Sequence, residues 1–422
     1  MRSATSAVAL LVAMVPGLAH AQGFDVDEAT RAYLNLLQGP ARAQSDAYFE
    51  GGYWLILWNA VAAVIVYGLL LVTGLSARMR RWAERTTSRR WLVPILYALP
   101  FVLVSTLLFL PWAIYTDYVR ERQYDLMSQS FGEWLGDQGK GLAIGIVTTA
   151  LLFGALFAII RRFPRGWWLW GAGVMIAFFG VGALIAPVFI MPLFNSYTEM
   201  PAGPLRDRIV TMAQASNIPA ENIYVSDASR QSKRISANVS GVGPTVRITL
   251  NDNLLNRTGP DEVAAVMGHE MGHYVLGHVW KLITMFALVL AALFFAVSRI
   301  APRLIARHPA WGVRDVADPA SVPLLLALAT IAGVVLTPIQ NSMVRWNESE
   351  ADRFGLDAAR EPDGFAKVAM RLSEYRKISP GPVEEMLFFD HPSGETRVRR
   401  SMQWKKEHVP DARMVTPTIS LD

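Results

Sequence analysis

The sequence contains no cysteine among its 422 residues. Disulfide frameworks, thiolate metal sites and cysteine nucleophiles are therefore excluded, and any metal ion must be held by His, Asp or Glu. Charge is also scarce, because Asp, Glu, Lys and Arg make up only 18% of the chain. An average soluble domain has roughly 25% charged residues. An ordinary soluble enzyme is thus not expected.

Apolar residues are abundant, at 52% of the chain, and they are concentrated in uncharged runs. A helix crosses a hydrocarbon core with roughly 17 to 25 residues, and each run is about that long. We therefore expect six membrane spans and room for one modest aqueous domain. The runs are Tyr53 to Gly74, Trp91 to Ile114, Gly141 to Ile160, Trp167 to Phe194, Leu282 to Ser298 and Pro319 to Gln340.

The first residues of the chain have the pattern of an export signal. Arg2 precedes an apolar stretch from Ala7 to Leu18, and a small-x-small site follows at Ala19 to Ala21. We predict that residues 1 to 21 are a signal peptide. An uncleaved first anchor is the alternative.

The loops between the runs alternate in charge. Residues 75 to 90 hold six arginines against one glutamate, whereas residues 115 to 140 hold five acidic residues against three basic ones. Because basic loops stay on the cytoplasmic side, the first loop is expected inside and the second outside. Continuing this alternation places three segments outside the cytoplasm: residues 22 to 52, 195 to 280 and 341 to 422. We predict a protein of the bacterial inner membrane whose aqueous segments face the periplasm.

The segment between the fourth and fifth runs has the pattern of a small mixed domain. Residues 222 to 225 and 245 to 250 are predicted strands, the second with alternating apolar and polar side chains. A helix should follow, with Thr258 as its cap, and continue into His273. Beyond the last run, residues 341 to 360 predict another helix.

Residues 269 to 273 read His-Glu-Met-Gly-His, an HExxH pattern on the predicted helix. Positions four apart share one face of a helix, so His269 and His273 can hold one zinc ion. Glu270 can accept a proton from the attacking water and pass it to a leaving amine. Because such a pattern also occurs by chance, a third ligand is needed to support it.

His278 is the nearest candidate for the third ligand, and its position argues against it. On a continuing helix it would point roughly 140° and 180° away from the two other histidines. The longer HExxHxxGxxH pattern also fails, because Leu276 and Val279 stand where Gly and His are required. A structural or interfacial role is expected for His278.

A better candidate follows the last run, in the segment Asn347 to Asp352. Glu348 and Asp352 are four apart and share one helix face, whereas Glu350 is expected to be solvated. Glu348 is therefore predicted to bind zinc, and Asp352 to accept the second ring N–H of a ligand histidine.

These motifs carry a family resemblance. The His269 to His273 core, the Asn347 to Asp352 segment, Ser236 to Asn238 and the His391 to Val398 element together resemble the integral-membrane zinc endopeptidases. That family includes the type I CAAX prenyl protease and bacterial heat-shock membrane proteases.

The resemblance implies a role for each matching residue. His269, His273 and Glu348 would bind one zinc ion per chain, Glu270 would be the general base, and Asp352 would support a ligand. Asn238 would lie on the edge strand that pairs with extended substrate, and His391 would face the scissile carbonyl. From the residues alone, either 245 to 250 or the segment near Asn238 could offer that edge.

The predicted fold is mainly α: a polytopic membrane helix bundle of about six spans after a signal peptide, with a small α+β zincin-like catalytic domain built from two extramembrane segments. The predicted division of the chain is a signal peptide at 1 to 21, an extracytoplasmic N-terminal segment at 22 to 52, a four-span membrane region at 53 to 194, a catalytic segment at 195 to 279, a two-span hairpin at 280 to 340 and a second catalytic segment at 341 to 422.

We predict a zinc-dependent membrane endopeptidase that cuts exported or membrane-associated polypeptides. Its partners would be polypeptide substrates and the lipid bilayer, with no nucleic acid, and the oligomeric state is not predicted. The alternative is a catalytically silent membrane scaffold or chaperone, which would not need Glu270. A transporter is disfavoured because it would require ionisable residues within the spans, and the six runs contain none.

Overall fold

The computed structural model describes residues 24 to 219, 222 to 241 and 246 to 419. The predicted signal peptide and Thr245 lie outside these ranges. Helices dominate the described residues, with one small sheet. The predicted helix bundle with a small α+β unit is therefore confirmed.

In chain order the helices are α1 (Val26–Leu34), α2 (Gly39–Val72), α3 (Leu75–Thr86), α4 (Val93–Ala113), α5 (Arg120–Gln123), α6 (Phe131–Arg162), α7 (Trp167–Ile185), α8 (Pro204–Ala215), α9 (Asp252–Arg257), α10 (Pro260–Val275), α11 (His278–Arg307), α12 (Val322–Ala359), α13 (Pro362–Leu372), α14 (Pro382–Phe388) and α15 (Gly394–His408).

Six helical segments of the described chain are long and apolar enough to cross a membrane, which confirms the six predicted spans. They are built on α2, α4, α6, α7, α11 and α12. Most of them extend beyond the apolar runs. The second continues through the π-helical segment Ile114–Val119 into α5. The protein is therefore a polytopic membrane protein.

The arginine-rich loops contact one another. Arg80 on α3 forms a buried ion pair with Asp318, which lies in the loop between α11 and α12. Arg161, at the end of α6, donates a hydrogen bond to the Arg90 carbonyl at 2.7 Å. Three loops that the charge pattern assigns to one side of the membrane therefore meet in the folded chain.

The sheet contains four strands in the order β1-β2-β4-β3: β1 (Tyr197–Glu199), β2 (Ile223–Ser226), β3 (Ala237–Ser240) and β4 (Arg247–Asn251). β2 and β4 are parallel, and the other two pairs are antiparallel. β4 is central and therefore offers no free edge. The sequence offered two segments as a possible free edge, and the prediction that residues 245 to 250 form it is wrong. β3 is an edge strand among the described residues.

The start of the HExxH helix also differs from the prediction. Thr258 does not cap α10; it follows the short helix α9, and its hydroxyl donates to the Leu254 carbonyl. α10 begins at Pro260, where the absence of an N–H costs nothing. The Gly259 N–H donates to Glu262 at 2.8 Å and so caps the helix.

The aqueous segments pack into one unit. α10 lies on the sheet through fully buried side chains, among them Ile248, Leu250 and Met267. The N-terminal helix α1 packs on α15 and α13, and Tyr33 donates a hydrogen bond to Asp363 at 2.7 Å. Segments at the start, middle and end of the chain thus build the same structure.

The most extensive contact between two helices joins α10 to α12. A Cβ on Gly268 would lie 2.8 Å from the Gly355 carbonyl oxygen, and one on Gly355 would lie 2.8 Å from the His269 nitrogen. The two backbones therefore touch at these glycines. The helix predicted for residues 341 to 360 is not separate, because α12 runs unbroken from the last span.

Replacing Gly355 with Ala tests this contact. The new methyl group cannot fit unless the helices separate, and overpacking typically costs about 1–3 kcal/mol. We expect Gly355→Ala to lower the thermal unfolding midpoint of the detergent-purified protein. The matched control is Gly333→Ala in the same helix, where no atom lies within 4 Å of the added Cβ. Equal midpoints for the two variants would contradict the prediction.

Candidate metal centre

Three side chains from α10 and α12 bring potential metal-binding atoms together. His269, His273 and Glu348 offer one such atom each, all within 4.8 Å of one another. The two Nε2 atoms are 3.1 Å apart, and the Glu348 oxygens lie 3.2 Å from His269 Nε2 and 3.4 Å from His273 Nε2. The spacing of four on α10 puts both rings on the face that packs against α12.

These donors fit a small divalent cation. Two atoms bound at about 2.0–2.1 Å to a tetrahedral ion are about 3.3 Å apart, close to the observed separations. The buried Glu348 Oε2 forms no hydrogen bond of acceptable geometry among the described residues, although the His269 nitrogen is close. Two nitrogens and a carboxylate, without sulfur, form a donor set that zinc accepts.

Asp352 holds the other side of the His269 ring. Its Oδ1 lies 3.0 Å from His269 Nδ1, and it accepts hydrogen bonds from Arg397 at 2.6 Å and Arg400 at 2.8 Å. Burial lowers the pKa of His269, but hydrogen bonds to Asp352 and Glu348 outweigh burial and raise the pKa to about 9. The ring is therefore fixed between two carboxylates.

His278 and Glu350 are part of the same network, which the sequence analysis missed. α10 ends before His278, and Gly277 has a positive φ of 64°, so the ring is not where a continuing helix would put it. His278 Nδ1 lies 2.9 Å from His273 Nδ1, and its Nε2 lies 3.2 Å from Glu350. His278 thus contacts the far side of one donor histidine. Glu350, which was expected to be solvated, is partly exposed and also forms an ion pair with Lys281 at 2.6 Å.

Glu270 and His391 border the same donors. Both line a pocket of about 220 Å³ that His269 also lines. Burial raises the pKa of the Glu270 carboxyl. His391 Nε2 lies 3.2 Å from Glu348 Oε2, while its Nδ1 lies 2.8 Å from Asp390. A potential base and a potential hydrogen-bond donor therefore flank one cleft.

Asn238 lies on β3, opposite Thr249 of β4. The pocket is lined by the residues just before it, Ser236 and Ala237, so the edge strand begins at the wall of the cleft. Much of the remaining wall is apolar and comes from α9, α10 and α13: Leu254, Ala265, Val266, Phe365, Val368, Ala369 and Leu372.

Comparisons with known families match nearly the whole described chain. Residues 199–405 match the family described as Peptidase family M48. Residues 40–196 match the CAAX prenyl protease N-terminal family, described as five membrane helices. The first match contains all three donors, and the second covers the first four spans.

Individual relatives agree with these families. The uncharacterized metalloprotease YhfN of Bacillus subtilis is 28% identical over 349 residues, which are 82% of this chain and 81% of that protein. CAAX prenyl protease 1 of Saccharomyces cerevisiae is 32% identical over 184 residues, 43% of this chain. That alignment spans 40% of the yeast protein's length.

The fold is also similar to a solved structure. The crystal structure of S. mikatae Ste24p aligns with a TM-score of 0.72 over 89% of this chain and 96% of that one, at 19% sequence identity. The common fold and the two family matches lead to one conclusion. The chain belongs to peptidase family M48 and is a membrane metalloprotease similar to the CAAX prenyl proteases.

Proposed function

We propose that the protein is a zinc-dependent endopeptidase of the bacterial inner membrane, with its catalytic segments on the periplasmic side. Its substrates would be exported or membrane-associated polypeptides. The observation that carries this proposal is the cluster of His269, His273 and Glu348 beside Glu270 in one pocket. Acid–base chemistry and metal binding are thereby combined at a single cleft.

His269, His273 and Glu348 would hold one zinc ion per chain. When bound, the ion supplies Lewis acidity, which polarises a carbonyl group and makes water more acidic. Asp352 accepts the remaining ring N–H of His269 and so presents the opposite nitrogen for binding. The contacts of Arg397 with Asp352 keep that carboxylate in place.

Glu270 would transfer the protons. It accepts a proton from the attacking water and delivers it to the amine that leaves. Burial raises its pKa, which makes it a stronger base than a solvated glutamate. Such proton transfer typically contributes 10²–10⁴-fold to the rate, so its loss should be severe.

The substrate would bind in an extended form along β3, with its backbone adding a strand to the free edge near Asn238. His391 would then approach the scissile carbonyl. When its Nε2 carries a proton, it can donate a hydrogen bond to the oxyanion that forms during attack. Its position 3.2 Å from Glu348 supports this role.

The charge pattern supports the choice of substrate class. The arginine-rich loops 75 to 90, 161 to 165 and 299 to 314 favour the cytoplasmic side, which leaves the catalytic segments outside. A prenylated cytosolic protein would not normally reach a cleft there. We therefore propose polypeptides that have crossed or entered the membrane as substrates, and no nucleic acid.

Metal content and peptide cleavage test the core of this proposal. We expect about one zinc per chain in the wild type and in Glu270→Gln, and less in Glu348→Ala, which lacks a ligand. Both variants should lose cleavage of a quenched peptide by at least about 100-fold. Measurements use detergent-purified full-length protein and elemental analysis. A wild type without metal would instead favour the silent scaffold.

His278→Phe tests the contact behind His273. The variant keeps an aromatic ring but cannot accept the Nδ1–H of the donor histidine. Losses of about 10- to 100-fold in metal affinity are typical when such an outer hydrogen bond is removed. Zinc dissociation constants from chelator competition measure the effect. His308→Phe, at the exposed end of α11, is the control. An unchanged dissociation constant would show that His273 does not depend on this contact.

Single cysteines test the topology, since the natural chain has none. Ala215→Cys on α8 and Ser88→Cys between α3 and α4 both replace exposed residues. We expect a membrane-impermeant maleimide to label the first in intact spheroplasts and the second only after lysis. The reverse pattern would place the catalytic segments in the cytoplasm and remove the argument for exported substrates.

A further inference from the structure

We propose that Arg376 forms a carboxylate-binding subsite in the catalytic pocket, which recognises an acidic side chain or the free C-terminus of the substrate. This inference rests on the proposed peptidase function. Arg376 lines the same pocket as Glu270 and His391, in the segment between α13 and α14. A group bound there would lie close to the reacting peptide bond.

The backbone of this segment is held in place on several sides. The buried Ser45 hydroxyl, on α2, donates to the Arg376 carbonyl at 3.3 Å. The next residue, Lys377, forms ion pairs with Glu50 at 2.6 Å and Glu384 at 2.8 Å. These contacts anchor the chain on both α2 and α14. The backbone that carries the Arg376 side chain is therefore held in place.

Arg376 differs from the neighbouring cations in having no anion within ion-pair distance among the described residues. Lys377 is paired as described, Arg257 is paired with Glu374, and Arg397 is paired with Asp352. For Arg376, by contrast, neither an ion pair nor a side-chain hydrogen bond exists within the described parts of the chain.

Asp390 is the obvious internal candidate for a partner, but its carboxylate contacts His391 at 2.8 Å instead. The charges of Asp390 and Arg376 influence each other. The two side chains nevertheless form no ion pair among the described residues, so the Arg376 guanidinium at the wall of the pocket can still bind an external carboxylate.

An unpaired, half-buried arginine is suited to an external carboxylate. Its planar fork matches the two oxygens of a carboxylate, and the pair is stronger where water is partly excluded. The pocket around it is otherwise rich in apolar side chains from α9, α10 and α13. The preferred peptide would therefore combine a carboxylate with apolar neighbours near the cut.

Two matched peptide series identify the source of the carboxylate. In the first, Glu is exchanged for Gln at each of three positions on either side of the cut. In the second, the C-terminal acid is exchanged for the amide. We expect kcat/KM to favour the carboxylate by about 10- to 100-fold at one position, as for a hydrogen bond to a charged group. Preference within the first series indicates a side chain, and preference within the second indicates the free C-terminus.

Variants of Arg376 test whether this residue causes the preference for a carboxylate. Arg376→Gln should abolish it, and Arg376→Glu should reverse it in favour of Lys at the same position. Arg376→Lys should keep part of it, because the charge remains while the fork is lost. The control is Arg399→Glu, an exposed cation that pairs with Asp27 outside the pocket and should leave the preference unchanged.

The failure of this inference differs from failure of the peptidase proposal. If the wild type cleaves every peptide with equal kcat/KM and the Arg376 variants do the same, the subsite is overturned while the peptidase stands. If no peptide is cleaved, peptide binding is measured instead to test the subsite. Fluorescence anisotropy then compares carboxylate and amide peptides on Glu270→Gln and on Glu270→Gln combined with Arg376→Gln. Equal affinities in all cases would overturn the subsite, and a preference lost only in the double variant would support it.

Discussion

The close packing of α10 against α12 is the contact on which the rest of the centre depends. Gly268 and Gly355 bring the two backbones together where an added Cβ would be only 2.8 Å from the opposing chain. His269 follows the first of these glycines directly, and Glu348 lies about two turns before the second. Contact between these two backbones therefore sets the distance between the candidate donors on α10 and the one on α12. A small loss of packing at the glycines would be felt at the donors, because densely packed interiors transmit strain.

Buried charge is balanced around Asp352. This carboxylate is fully buried, contacts His269, and accepts hydrogen bonds from Arg397 and Arg400 on α15. Removing Asp352 would leave the buried Arg397 without its anion, which is strongly destabilising for a buried charge. α15 in turn packs on α13 and α1. The C-terminal helix therefore has a direct electrostatic link to the donors, although it contributes none of them.

Much of this arrangement could be predicted because it depends on local patterns. The uncharged runs predicted the six spans. Spacings of four residues predicted that His269 and His273 share one helix face, and that Glu348 shares a face of another helix with Asp352. The position of His278 could not be predicted, because it depends on the left-handed Gly277 that ends one helix and begins the next. Gly277 itself was the feature of the sequence that could have indicated a break between the two helices. Arg376 belongs to no motif, and its place in the pocket follows only from the folding of segments that are far apart along the chain.

The separation of the donors along the chain has a consequence for biosynthesis. His269 and His273 precede the α11–α12 hairpin, whereas Glu348 follows its second span. During translation the histidines emerge first, and the glutamate can join them only after both helices of the hairpin have crossed the bilayer. A nascent chain that ends before α12 therefore carries the HExxH motif without Glu348, the third candidate donor. The segment that carries His391 and α15 is made later still, so the cleft is assembled from parts that appear at three stages of synthesis.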